Sequence, residues 1–227
     1  MDKILTILFA LLIIFMAWGF VVYQGASAVT IPNLQWTWEK KPMVCFNEPL
    51  DGDEQMIGSV AMGLWNDQFK RIFGDKGTVP QRTNNATHVH PDCNVMVYFL
   101  DQAWSYDADG TYDVVNGVAV CWTNNANDDV CPMYINTWNG TRNNRSLLIT
   151  TIHEFGHIWG LGHEISNNDF ERRNFPNGWT IMSESPQGVP VGVHNGLGDT
   201  IKCRYWEGTW EGLKKPCNFF NFYWNLV

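Results

Sequence analysis

Residues 153–163 read HEFGHIWGLGH and hold three of the chain's six histidines. His153 and His157 stand four apart, so on a helix both project from one face and can reach a single ion. A helix that simply ran on would carry His163 away from them. Gly160 resolves this, because glycine adopts a left-handed turn at no steric cost, ends the helix and lets the chain fold back. Three imidazoles suit a tetrahedral zinc ion with one position left open. Glu154, beside the first histidine, then faces that open position, where it can take a proton from water and later deliver it to a departing amine. The rival reading is a glycine-punctuated helix that carries imidazoles by accident. The five-residue core of the pattern arises by chance in about one chain in a hundred of this size, and the added Gly and third His lower that by about a thousandfold. One bound Zn²⁺ is the expectation.

The rest of the chain bounds where such a site would work. From Ile4 to Tyr23 runs an uncharged apolar segment, preceded by Lys3 and followed by Ala26-Ser27-Ala28. The small residues fit signal-peptide cleavage, whereas the length of the run fits a membrane anchor. Residues 1–28 are therefore a signal peptide or an N-terminal anchor. The next basic residue after Lys3 is Lys40, and that asymmetry places everything after the run outside the cytoplasm. All six cysteines lie beyond the leader, as expected of disulfides in an exported domain, and no paired C-x₂₋₄-C spacing suggests a thiolate metal site. Fifteen pairings are open on counting alone. Cys121 and Cys131 flank what reads as a hairpin turn and can staple its strands if the register is antiparallel. A net charge of −8 without any basic run excludes nucleic acid as a partner. Sequons at Asn85, Asn139 and Asn144 are glycosylation acceptors where the host has the machinery.

Residues 29–227 are enough for one domain with a sizeable core, and twelve tryptophans predict that the core or a groove is aromatic. The pattern predicts a short strand at 42–46 and then a helix carrying Ile57, Val60, Ala61, Leu64, Trp65, Phe69 and Ile72 at helical spacing. Asp51 or Asp53 would cap that helix and Gly74 end it. Strands follow at 93–101, 117–123 and 130–138. A second helix, RSLLITTIHEFGHIWG, ends at Gly160, and a third spans about 197–206. No internal repeat and no low-complexity linker interrupts this order, so the fold class is α+β.

HEFGHIWGLGH matches the zinc signature HExxHxxGxxH of the metzincin peptidases, and Met182 in WTIMSESP stands where their Met-turn methionine lies beneath the imidazoles. The element order resembles the matrixin branch most closely, from LQWTWEKKPMVCF to GLGDTIKCRYWEG. The resemblance implies a zincin-like catalytic domain with a twisted mixed sheet, an active-site helix, a Met-turn and a C-terminal helix. It further implies that His153, His157 and His163 bind zinc, that Glu154 is the catalytic acid and base, and that a peptide or protein substrate lies along an edge strand at Val118, Ala119 and Val120. Residues 186–195 would wall the primed-side pocket. Some positions depart from the matrixin pattern. Glu164 follows the third histidine, as in astacins, and Glu184 stands where astacins and serralysins carry a tyrosine, so the expected site is three histidines and water. The stretch between leader and first strand has no room for a matrixin propeptide, which suggests control by export. The loop that binds structural zinc in matrixins is not matched.

Several features carry less. Asp107, Asp109 and Asp113 surround Gly110 and offer a Ca²⁺ site, with a plain acidic loop as the alternative. His88, His90 and Asp92 read as a solvated loop rather than a second metal site, and His194 can line the cleft. The aromatic tail NFFNFYWNLV is too short to span a bilayer and is expected to pack on the domain. The expectation is a monomeric, secreted or membrane-anchored zinc endopeptidase, touching membrane only through a retained leader. The alternatives are an exported zinc-containing binding module and a hydrolase of a non-peptide amide.

Overall fold

The computed structural model describes residues 29–30, 38–84, 91–101, 105–106, 113–114, 116–123, 129–137, 143–163, 165–166, 180–183, 189, 191–193, 197 and 201. In chain order these form β1 (Val29–Thr30), β2 (Val44–Asn47), α1 (Gly52–Phe73), a 3-10 turn (Gly74–Gly77), β3 (Gln81–Asn84), β4 (Val95–Leu100), β5 (Ser105–Tyr106), β6 (Asp113–Val114), β7 (Gly117–Ala119), β8 (Trp122–Thr123), β9 (Asp129–Asn136), α2 (Asn144–Ile158) and β10 (Ile165–Ser166). Among the described residues the complete elements make a mixed architecture: one mixed sheet, two long helices and two small two-stranded ladders, β1 with β10 and β5 with β6.

In the main sheet the order is β3-β2-β4-β9-β7, with β8 also paired to β9. The pairs β2–β3, β2–β4 and β4–β9 are parallel, and β7 and β8 run antiparallel to β9 at one edge. Alternation along the strands sends Val44 and Phe46, Val95, Val97 and Phe99, and Met133 and Ile135 into the core, all buried. Phe46 packs against Gly58 of α1, so the helices cover this face. On the other face Tyr98 and Tyr134, neighbours in register, stack with ring centroids 5.2 Å apart.

Helix α1 begins with a capping box. The Asp51 carboxylate accepts from the Glu54 amide and the Glu54 carboxylate from the Asp51 amide. The helix ends at Gly74, whose φ of 70° lies in the left-handed region. Its buried stripe is Ile57, Ala61, Met62, Trp65, Phe69, Ile72 and Phe73. Val60, placed in the apolar stripe by spacing, is 43% exposed, because the stripe is centred one position further round.

Two disulfides join the framework. Cys45–Cys93 ties β2 to the segment entering β4, with Cα atoms 5.8 Å apart. β7 and β8 share one register against β9, in which Val120 donates to the Pro132 carbonyl and Asn136 to that of Asn116. Cys121 therefore faces Cys131 at a non-hydrogen-bonded position, where antiparallel backbones come closest, and the Cα–Cα distance is 4.2 Å. The hairpin staple expected from the sequence is present. Disulfides of this kind indicate an extracytoplasmic environment.

Some expectations fall outside the described residues: the leader, Cys203 and Cys217, Asp107 and Asp109, His88 and His90, Glu164, Glu184, His194, the sequons at Asn85 and Asn139, the tail, and most of the third helix. Of that helix, Leu197 and Ile201 are helical and buried. Asp113 pairs with Tyr106 in the β5–β6 ladder. Among the described residues no helix is long and apolar enough to cross a membrane.

Candidate metal centre

Helix α2 is what gathers the site. Asn143 caps it by accepting from the Ser146 amide at 2.9 Å. Its path is fixed from two sides by tryptophan. The Trp65 indole donates to the Ile152 carbonyl at 3.0 Å, and the Trp38 indole donates to the Ile158 carbonyl at 2.9 Å. The second of these satisfies one of the carbonyls that a helix C-terminus leaves without an internal partner. Trp159 packs edge-on to Phe69 at 5.0 Å and stacks with Phe155 at 6.0 Å. The abundance of tryptophan thus serves, in part, to lock the backbone that bears the histidines.

The helix stops at Ile158, and Gly160 takes a φ of 85°. The Leu161 amide then donates back to the Gly156 carbonyl at 3.0 Å, which turns the chain under the helix end. That turn brings His163 beside the other two imidazoles. Ring centroids are 4.7 Å apart for His153 and His157, 4.8 Å for His157 and His163, and 5.2 Å for His153 and His163. One ligand nitrogen from each lies within 4.8 Å of the others. His153 is buried, His157 half-buried and His163 exposed, so the cluster opens to solvent on one side.

The hydrogen bonds show which nitrogens are free to bind. His153 Nδ1 lies 2.6 Å from the Ile181 carbonyl, and His157 Nδ1 lies 2.8 Å from the Leu161 carbonyl. A carbonyl oxygen only accepts, so each Nδ1 is the donor and carries the proton. Both Nε2 atoms then hold lone pairs, yet they face one another at 3.0 Å. Two lone pairs this close repel unless a cation lies between them, and carbonyl-fixed imidazoles are the usual outer support of a metal site. Burial and the neighbouring imidazole lower the pKa of His153 to about 3, and burial lowers that of His157 to about 4. Both rings are therefore neutral at neutral pH, the form that binds metal. The donor set fits zinc.

Glu154 follows His153 on α2 and is buried, 5% exposed. Burial raises its pKa to about 8, partly offset by a hydrogen bond that its carboxylate accepts from the Ala119 amide. The register explains the contact. Asn116, Val118 and Val120 turn their backbone groups toward β9, so Gly117 and Ala119 turn theirs outward at the edge. Of the three edge-strand positions Val118, Ala119 and Val120, only Ala119 presents its amide and carbonyl away from the sheet. Val120 places its side chain on the outer face, 48% exposed.

Met182 is fully buried, in a tight turn where the Ser183 amide donates to the Thr180 carbonyl. The preceding carbonyl, Ile181, is the one that fixes His153. A Cβ at Gly156 would run into Met182 Sδ, so Gly156 is the space this turn occupies. Gly156 and Gly117 were not singled out from the sequence. For Gly156 the available signal was a glycine inside a helix, which costs about 1 kcal/mol relative to alanine and so implies close packing, whereas Gly117 opens a strand and carries no such signal.

The chain matches no protein-family model and no curated protein. The functional reading therefore stands on the residues of the site.

Proposed function

We propose that this chain is an exported zinc-dependent endopeptidase of metzincin type, with a matrixin-like catalytic domain. The observation that carries this reading is a buried carboxylic acid, Glu154, directly following on α2 the first of three converging imidazoles, two of which point unprotonated nitrogens at each other 3.0 Å apart. A site serving only to hold metal has no use for a buried carboxyl next to its first ligand. His153, His157 and His163 hold the ion. When bound, zinc supplies Lewis acidity to the scissile carbonyl and makes water a stronger acid. The charge of a bound cation would favour ionised Glu154, whose carboxylate would take the proton of the attacking water and pass it to the nitrogen of the departing amine. The peptide lies extended beside β7 and pairs with the outward backbone groups there, chiefly the Ala119 carbonyl.

The test uses the oxidised protein and its Glu154→Ala variant, with zinc content measured alongside cleavage of an unfolded protein. The expected result is one zinc in both and cleavage only by the unaltered protein, with a rate loss of about 10⁴-fold in the variant. Retained turnover in Glu154→Ala would overturn the mechanism. One zinc in both proteins and no cleavage by either would point to a metal-containing binding module or to a non-peptide amide as substrate.

A further inference from the structure

At Gly117, the first residue of the edge strand, a Cβ would stand 2.7 Å from Glu154 Cγ, 2.9 Å from Glu154 Oε1 and 2.9 Å from Thr150 Cγ2. Thr150 and Glu154 are one helical turn apart on α2, so Gly117 lies directly over the groove between them. Two residues along the same strand, the Ala119 amide holds the Glu154 carboxylate. We propose that Gly117 is a positioning residue: its missing side chain lets β7 close on α2, and the closed strand fixes the Glu154 carboxylate between the Gly117 backbone and the Ala119 amide.

The direction of yielding follows from what holds each partner. β7 is kept at its depth by its pairing with β9 and by the Cys121–Cys131 bridge two residues beyond Ala119. Thr150 is buried within α2, whose backbone Trp65 and Trp38 hold in place. The Glu154 side chain is the one flexible partner. A methyl at position 117 therefore displaces the carboxylate rather than the strand, breaks its contact with Ala119 and leaves the three imidazoles where they are.

This inference rests on the peptidase reading for its catalytic consequence but not for its structural one. The test is a cycle of Gly117→Ala and Glu154→Ala in the full chain, with zinc content, cleavage kinetics and thermal melting of the zinc-free protein measured for all four proteins. Gly117→Ala is expected to retain one zinc and to lose about 100-fold in kcat, because a misplaced reacting group costs rate, while KM stays within about two-fold. Its melting temperature should fall by several degrees, and by clearly less when Glu154 is already alanine, since the overlaps with Glu154 Cγ and Oε1 are then gone and only the one with Thr150 Cγ2 remains. If Gly117→Ala alone fails to fold while the double variant folds, the same coupling is shown. Unchanged kcat, or an equal loss of stability in both backgrounds, would overturn the proposal. If the unaltered protein cleaves nothing, the peptidase reading fails by itself, and the melting cycle still decides whether Gly117 positions Glu154.

Discussion

The two helices differ in what they bury. α1 buries only apolar side chains and glycine: Ile57, Gly58, Ala61, Met62, Trp65, Phe69, Ile72 and Phe73. α2 is shorter, yet its buried set includes Thr150, Thr151, His153 and Glu154. Thr151 is satisfied locally by its bond to the Leu147 carbonyl at 2.8 Å. His153 and Glu154 are not explained in that way, because removing an imidazole and a carboxyl from water is unfavourable without compensation. α1 is the helix that folding requires, whereas α2 carries groups that folding alone would replace. Polar burial without a stability rationale is where the proposed function is concentrated.

The strongest way to break this contrast is to change one side chain on each helix. Glu154→Ala should remove catalysis, the largest single effect expected, while the zinc-free domain still melts cooperatively. Phe69→Ala should do the reverse. Phe69 is fully buried against Trp65 and Trp159, and its truncation costs about 3–5 kcal/mol of stability. Chemical denaturation should show that loss, while the zinc stoichiometry of the folded fraction stays unchanged. If Phe69→Ala altered stoichiometry at equal folded fraction, the division between the helices would be wrong.

A smaller effect, specific to α2, is the pH dependence of the zinc-free protein. His153 and His157 have folded pKa values of about 3 and 4, against 6.5 when unfolded. As pH falls below 6.5 the unfolded chain takes up two protons that the folded chain does not, so stability declines toward acid. Glu154 has the opposite sign. Its folded pKa is about 8 against 4.5 unfolded, so between these values the folded chain holds a proton that the unfolded chain has lost, and stability declines as pH rises. Between 4.5 and 6.5 the two histidines outweigh the one glutamate, and above 6.5 only the glutamate acts. Stability should therefore peak near pH 6.5 and fall on either side by about 1.4 kcal/mol per pH unit. Glu154→Ala should remove the alkaline decline and steepen the acid one. A flat profile from pH 5 to 8 would show that these groups are not buried as described.

How far the sequence could be read follows the same division. Strands β4 and β9 and helix α1 were legible because a continuous apolar pattern and end signals marked them. β3, Gln81–Asn84, was not, because it is a polar edge strand whose formation comes from pairing with β2 rather than from any periodicity of its own. The histidine cluster was legible because helical spacing and a turn glycine are local rules. The supports of the cluster were not, since the carbonyls of Ile181 and Leu161, the Ala119 amide and the bare Gly117 backbone carry no side-chain identity to read. Backbone groups become part of a site only through tertiary approach.

The smallest effect belongs to α1 and tests whether its start is a purely local matter. Asp51 and Glu54 exchange side-chain and backbone hydrogen bonds at 2.7 and 3.0 Å, with Asp51 exposed and Glu54 half-buried. Asp51→Ala removes the acceptor for the Glu54 amide and should cost about 1 kcal/mol. Near this end, Asp53 accepts from the Asn144 side chain at 3.1 Å, so the first turns of the two helices touch. If the cap acts only on α1, Asp51→Ala lowers the melting temperature slightly and leaves zinc affinity and kcat unchanged. If fraying of α1 propagates through Asn144 into α2, zinc affinity falls as well, and the two helices form one mechanical unit rather than a scaffold and a site.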